Sequence, residues 1–244
     1  MRIFSCLYRT LYGSAALVPL VLLLVISLSP ARPVIAEPKQ TVFDLSNDFS
    51  FEANPNKVWQ YGYTPTNTLS VEQFRFQKNV TFDTTGVGFW HPDKNNGPGP
   101  DYYPYIACNK SNKTQLVFGG LAFRPGEVAM ESSRSGQYGL IRFVAPENGS
   151  YEISAKYEGI HYGLSTTDVH VLHNSKSLFD ADIDGYGGDP DFHKVEGANP
   201  RAEYSGKVAL RKGDTITLAI GYGKNKTNSC DTTGLFAKIT LADH

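Results

Sequence analysis

Several things are missing from this sequence, and each absence excludes a class of protein. After residue 40 no stretch carries the 3.6-residue period of a helix longer than two turns, which removes helical bundles and alternating α/β folds. There is no internal repeat and no low-complexity linker, so the chain reads as one domain. No Gly-x-Ser-x-Gly elbow occurs, and neither Cys108 nor Cys230 lies in a recognisable nucleophile motif. A surplus of positive charge is also lacking. The 23 basic side chains fall to 20 once Arg2, Arg9 and Arg32 leave with an export signal, against 24 acidic ones, for a net charge near −4. That balance argues against a nucleic-acid partner or an anionic membrane surface.

Only one long apolar run is present, at residues 15–28. With Arg2 and Arg9 ahead of it and Val34-Ile35-Ala36 behind, it has the build of a signal peptide spanning residues 1–36. Its 14 residues fall short of the roughly 20 that cross a bilayer, and Pro19 interrupts them, so no stable membrane span is expected in the mature chain. Residues 37–244 then make a single exported domain, secreted, periplasmic or on the cell surface. Cys6 leaves with the signal. The remaining pair, Cys108 and Cys230, is expected to form a disulfide closing about 123 residues, worth about 4–5 kcal/mol by chain entropy. Two separate buried thiols are the alternative.

What the sequence has is alternation. Around 167–172, Val169 and Val171 alternate with Asp168 and His170; after the polar Asn174-Ser175-Lys176, Phe179, Ala181 and Ile183 alternate with Asp180, Asp182 and Asp184. Two such runs around a short turn predict a hairpin. Lys212-Gly213-Asp214 is a tight turn in which glycine supplies positive φ. Beyond it, 215–220 and 235–241 are strands. Further strands are predicted at 41–51, 59–63, 86–91, 114–118, 127–131, 137–145 and 149–159. Hairpins are expected within 71–83 and around Pro146-Glu147-Asn148-Gly149, with a surface loop over 92–105. The fold class is all-β, an antiparallel two-sheet sandwich of jelly-roll type.

Five stretches carry a resemblance: Asn54-Pro55-Asn56 followed by Trp59 and Tyr61-Gly62-Tyr63; Phe123-Arg124-Pro125-Gly126; Thr-Thr-Asp-Val-His-Val-Leu at 166–172; Gly-Asp-Thr-Ile at 213–216; and Asp-Thr-Thr-Gly-Leu at 231–235. Together they resemble exported bacterial jelly-roll modules, similar in layout to carbohydrate-binding modules. None of these motifs is catalytic. The resemblance implies a sandwich fold and an exported compartment, and by analogy a carbohydrate or cell-surface component as partner.

Chemistry-bearing constellations are few. Asp180, Asp182, Asp184, Gly185, Asp189 and Asp191 follow part of the calcium-loop template, with oxygen ligands at alternate positions and a glycine at the sixth. An aspartate replaces the bidentate glutamate, Gly187 stands where an apolar anchor belongs, and no helices flank the run; the alternative is a solvated strand face. No cofactor is required, and calcium is the one candidate. His170 and His173 point to opposite faces of a strand, so with Asp168 they do not form a helical zinc motif, and His161 joins only by tertiary contact. Asp182 and Asp184 stand about 7 Å apart by strand rise, a spacing that any acidic strand shares with glycosidases.

Aromatics are the better resource. Trp59, Tyr61, Tyr63, Trp90, Tyr102, Tyr103 and Tyr105 are candidates for a sugar-binding platform, since a sugar ring packs its flat C–H face on an aromatic plane. Trp59 and Trp90 suit a sandwich core better; Tyr102, Tyr103 and Tyr105, in the Pro/Gly loop, are expected to be exposed. Five Asn-x-Ser/Thr triplets, at Asn79, Asn109, Asn112, Asn148 and Asn225, are expected to be unmodified in a bacterial protein. The functional expectation is a non-catalytic module binding carbohydrate or cell-surface glycan. The alternatives are a structural or adhesive surface module with protein partners, and a polysaccharide-acting enzyme.

Overall fold

The computed structural model describes residues 41–92 and 103–242. Residues 1–36 and Tyr102 therefore lie outside the described residues, as does most of the 92–105 loop. In chain order the first strands are β1 (Thr41–Asp44), β2 (Trp59–Tyr63), β3 (Arg75–Phe76), β4 (Asn79–Phe82), β5 (Gly88–His91) and β6 (Tyr105–Cys108). Then come β7 (Gln115–Val117), β8 (Leu121–Phe123), β9 (Val128–Glu131), β10 (Gly139–Val144), β11 (Gly149–Gly159) and β12 (Ser165–His173). The last are β13 (Lys176–Tyr186), β14 (Glu196–Asn199), β15 (Arg201–Leu210), β16 (Thr215–Ile220) and β17 (Thr233–Ala242).

They assemble into two antiparallel sheets and a separate hairpin. The first sheet runs β15-β11-β17-β9-β6-β5-β4, with β1 also paired to β17; the second runs β14-β13-β12-β16-β10-β2-β3. Period-two alternation builds the interior between them. From β17 come Leu235, Ala237, Ile239 and Leu241, from β11 Tyr151, Ile153, Ala155 and Tyr157, from β16 Ile216, Leu218 and Ile220, and from β12 Val169 and Val171. Among the described residues no helix is long and apolar enough to cross a membrane.

Trp59, Tyr61 and Trp90 belong to this interior. Trp59 meets Phe143 edge-on at 5.5 Å, and Tyr61 stacks on Phe49 at 4.5 Å. Their polar atoms are satisfied inside, the Trp90 indole N–H donating to the Ser50 carbonyl at 2.8 Å. They are core residues, not a platform, because β2 turns Trp59 and Tyr61, and β5 in the other sheet turns Trp90, onto the interior between the sheets.

Three local expectations change. The strand predicted over 41–51 stops at Asp44, whose carboxylate accepts from the Asn47 N–H at 3.2 Å and caps one helical turn, α1 (Leu45–Asp48). The hairpin predicted within 71–83 is a crossing between sheets: β3 pairs with β2 in one, β4 with β5 in the other. The Asn148-Gly149 corner likewise carries the chain from β10 to β11 across the sandwich. Neither residue takes the positive φ that a type I′ hairpin turn requires. The β12–β13 hairpin forms as predicted, with Asn174 at φ 51° in its turn, and Gly213 takes φ 90° in the turn before β16.

Cys108 and Cys230 are both free thiols. Cys108 stands opposite Val128, which stands opposite Leu235, while Cys230 lies in the turn just before β17 begins at Thr233. Cys108 lies two strands away from β17, across β9, and Cys230 lies outside β17 in the preceding turn, and the two thiols do not meet. Cys108 also points into the inter-sheet core, and Cys230 does not. The expected bridge is therefore absent from the structure.

A third layer positions the candidate site. The β7–β8 hairpin lies on the outer face of the first sheet, where Val117, Leu121 and Phe123 cover Phe89, Tyr105 and Ala129 in a second small core. At its tip Phe118 and Gly119 take φ values of 50° and 71°, and the Phe118 ring is left 68% exposed.

Candidate functional site

Strand β9 turns Val128 and Met130 inward and Ala129 and Glu131 outward, beneath the edge of the β7–β8 hairpin. Glu131 is directly across from Tyr105 on β6. The Tyr105 hydroxyl donates to Glu131 Oε2 at 2.9 Å, the Thr232 hydroxyl donates to the same oxygen, and the two hydroxyls lie 2.7 Å apart. Burial pushes the Glu131 carboxyl up to about 8, with the Thr232 and Tyr105 hydrogen bonds only partly offsetting it. At neutral pH it is a carboxylic acid, able to donate as well as accept.

Above Glu131 opens a pocket of about 320 Å³, lined among others by Tyr103, Phe118, Arg134, His161, Asn228 and Cys230. Burial lowers the His161 pKa, and His161 Nδ1 accepts from the Gly163 N–H at 2.8 Å, so the ring is neutral with its proton on Nε2. Burial, then Glu131 and Asp231, raise the Cys230 thiol, which keeps it mostly protonated and makes it a weak nucleophile. Cys230 takes φ 66° and packs its sulfur where Gly163 has no Cβ; a Cβ there would meet Sγ at 2.5 Å. Asn228 donates one amide hydrogen to the Ser132 carbonyl at 3.1 Å.

A smaller apolar slot of about 220 Å³ adjoins this pocket, lined by Phe82, Phe89, Tyr103, Tyr105 and Phe118 together with Thr81 and Asp83. Tyr103 and Phe118 border both spaces. Rings run continuously along the boundary: Phe118 to Phe89 at 5.9 Å, Phe89 to Tyr105 at 5.2 Å and Tyr105 to Tyr103 at 5.4 Å. The result is a groove with an aromatic edge, a polar compartment and an apolar one.

Of the six platform candidates among the described residues, only Tyr103 takes part through an accessible face. Tyr105 contributes its hydroxyl from below but is 4% exposed, contrary to the exposure expected of it, because the hairpin covers its ring. Tyr63 lies partly buried on β2 in the other sheet. Glu131, Phe118, Asn228 and Thr232 were not legible as site residues. The one local hint is the aromatic Phe118 immediately before Gly119-Gly120, a turn whose outward ring has no strand partner.

The aspartates of the acidic run are dispersed. Asp180 receives Ser177 and faces His170, Asp182 pairs with Lys224, and Asp189 accepts from the Thr114 hydroxyl at 2.7 Å and the Asp191 N–H at 3.0 Å. Among the described residues no group of three or more His, Cys, Asp or Glu is arranged to hold a metal ion. A larger pocket of about 370 Å³ is bordered by Asp182, Asp184, Asn199, Lys224 and Asn225. It offers no aromatic face, and its most prominent groups are an exposed ion pair already satisfied within itself. His170 is held between Asp168 and Asp180, on opposite sides of the ring, so the three cannot share one ion; His173 lies instead 3.5 Å from Asp214.

No protein-family model matches the chain, and no curated protein matches it by sequence. Several solved structures are similar to it. One is CBM51 of a Clostridium perfringens GH95 protein in complex with methyl-galactose, at 11% identity and a TM-score of 0.35, covering 82% of this chain and 99% of that one. A second is the K1 cleaved adhesin domain of Lys-gingipain from Porphyromonas gingivalis, at 11% identity and 0.32, covering 85% and 100%. A third is a β-glucosidase of Kluyveromyces marxianus, at 18% identity and 0.27, covering 46% of this chain and only 12% of the enzyme. Alignments this loose leave the function of this chain to its own side chains.

Proposed function

We propose that this protein is an exported, non-catalytic module that binds carbohydrate in the groove between Phe118, Tyr103 and Glu131. The observation that carries the reading is the exposed Phe118 ring, set beside a polar pocket with a protonated acid, an arginine and an amide. Phe118 is 68% exposed and leaves a large apolar ring in water, which a folded domain does not need for its own packing. Sugars require this pairing of a flat apolar face with hydrogen-bonding groups at its rim. A catalytic use of the pocket is disfavoured by chemistry: the thiol of Cys230 is held protonated, and among the described residues lining the pocket Glu131 has no second carboxylate to work with as an acid–base pair. Export is supported by the signal-like residues 1–36.

The test is retention on an immobilised glycan panel by the chain lacking residues 1–36. Retention competed by free sugar in the high-micromolar range, and lost in Phe118→Ala, is expected. If no glycan retains the wild-type protein at that concentration, the reading is wrong.

A further inference from the structure

The two compartments of the groove differ in chemistry, and that difference bears on which sugar enters, an inference that rests on the groove being a carbohydrate site. The larger pocket presents hydrogen-bonding side chains. The slot beside it presents carbon. Phe82, Phe89 and Phe118 supply ring faces and edges, and Phe82 itself is 59% exposed. Two of the polar groups that border the slot, the Asp83 carboxylate and the Tyr105 hydroxyl, are already engaged. Asp83 Oδ1 accepts from the N–H groups of Thr85 and Val87 at 3.0 and 2.9 Å and from the Thr85 hydroxyl at 2.8 Å. The Tyr105 hydroxyl is turned onto Glu131 and Thr232.

At about 220 Å³ the slot is smaller than the ~300 Å³ at which ligand pockets begin. It suits a substituent, not a second sugar ring. A hydroxyl placed there gives up water for walls that are mostly aromatic carbon, whereas a methyl gains contact with the rings. We propose that the groove selects N-acylated sugars, with the ring hydroxyls in the Glu131 pocket and the acetamido methyl in the slot between Phe82, Phe89 and Phe118.

Isothermal titration with matched disaccharides tests this: cellobiose against N,N′-diacetylchitobiose, which share ring stereochemistry and linkage, and lactose against N-acetyllactosamine. The N-acetylated member of at least one pair is expected to bind about tenfold tighter, the discrimination that one apolar carbon gives in a hydrophobic pocket. Phe82→Ala is expected to bring that ratio close to one by weakening the N-acetylated sugar about tenfold more than its unsubstituted partner. Circular dichroism of the variant confirms that the sandwich remains. Equal affinities within both pairs, or a ratio unmoved by Phe82→Ala, overturn the selectivity and leave carbohydrate binding standing. Failure of all four sugars and of the glycan panel removes carbohydrate binding itself.

Discussion

Tyr105 and Glu131 face each other across neighbouring strands, and hydroxyl meets carboxyl at 2.9 Å with both side chains almost wholly buried. This burial makes a carboxylic acid out of a glutamate at neutral pH. Because the folded value, about 8, lies above the ordinary 4.5, the proton is bound more tightly in the native state. Its contribution to stability is complete below about pH 4.5 and is lost as pH rises through 8. Glu127 and Asp231, each pushed by burial to about 7, act in the same direction. Stability is therefore expected to fall between pH 5 and 9. Glu131→Gln, which keeps the shape and a donor, is expected to flatten part of that slope, by a few kcal/mol at pH 9. Urea denaturation at the two pH values measures it. A slope identical to wild type would show that Glu131 is ionised in the fold.

The same protonation state enters binding. If the neutral carboxyl donates to a sugar hydroxyl, affinity declines as pH passes about 8, and Glu131→Gln retains binding at pH 9 that the wild type loses. Titration calorimetry at pH 7 and pH 9 checks this.

His170 supplies the opposite kind of clamp. Its ring nitrogens lie 2.7 Å from Asp168 and 2.5 Å from Asp180, tying β12 to β13. Burial works against its charge, but the hydrogen bonds to both aspartates outweigh it and raise its pKa above 6.5. For Asp168, burial is outweighed by bonds from His170, the Gly223 N–H and Tyr138, and its pKa drops below 3.8. The histidine contribution is present below 6.5 and lost as pH rises through the raised value; the aspartate contribution is present above 3.8 and lost as pH falls. His170→Gln is accordingly expected to cost about 1–2 kcal/mol at pH 5.5 and less at pH 9. A pH-independent cost would contradict the charged clamp.

Free thiols give a chemical check. The chain lacking residues 1–36 is expected to titrate two thiols when unfolded, and reductant is expected to leave its melting temperature unchanged. In the native state Cys230 reacts before Cys108, which is fully buried with its thiol pushed up to about 12. A single disulfide in the purified protein would contradict the separation of the two cysteines.

Calcium is expected to leave the melting temperature unmoved, as is EDTA, because Asp180, Asp182 and Asp189 are engaged by His170, Lys224 and Thr114 and do not converge. A rise of several degrees with calcium would contradict this.

The alternation in 167–172, 178–183 and 235–241 was enough to place the long strands, because there one face meets the core and the other meets water. Connections were less legible. Asn148-Gly149 has the composition of a hairpin turn, yet it joins strands of opposite sheets, and a dipeptide carries no information about which sheet receives the next strand. The same loss of information hid the site. Trp59, Tyr61 and Trp90 are the conspicuous aromatics and all three are interior, whereas Phe118 is exposed only because a short hairpin folds back over the first sheet. Glu131 ends an apolar run, and its burial follows from Tyr105 and Thr232, which lie 26 and 101 residues away.

The most direct test of the carbohydrate groove is to titrate the labelled protein with N,N′-diacetylchitobiose and follow its amide and aromatic NMR signals. Saturable shifts confined to Tyr103, Phe118, Glu131, Asn228 and their neighbours are predicted. Shifts centred on Asp182, Asn199 and Lys224 would move the site to the other pocket and contradict the account, as would no shift with any sugar of the panel.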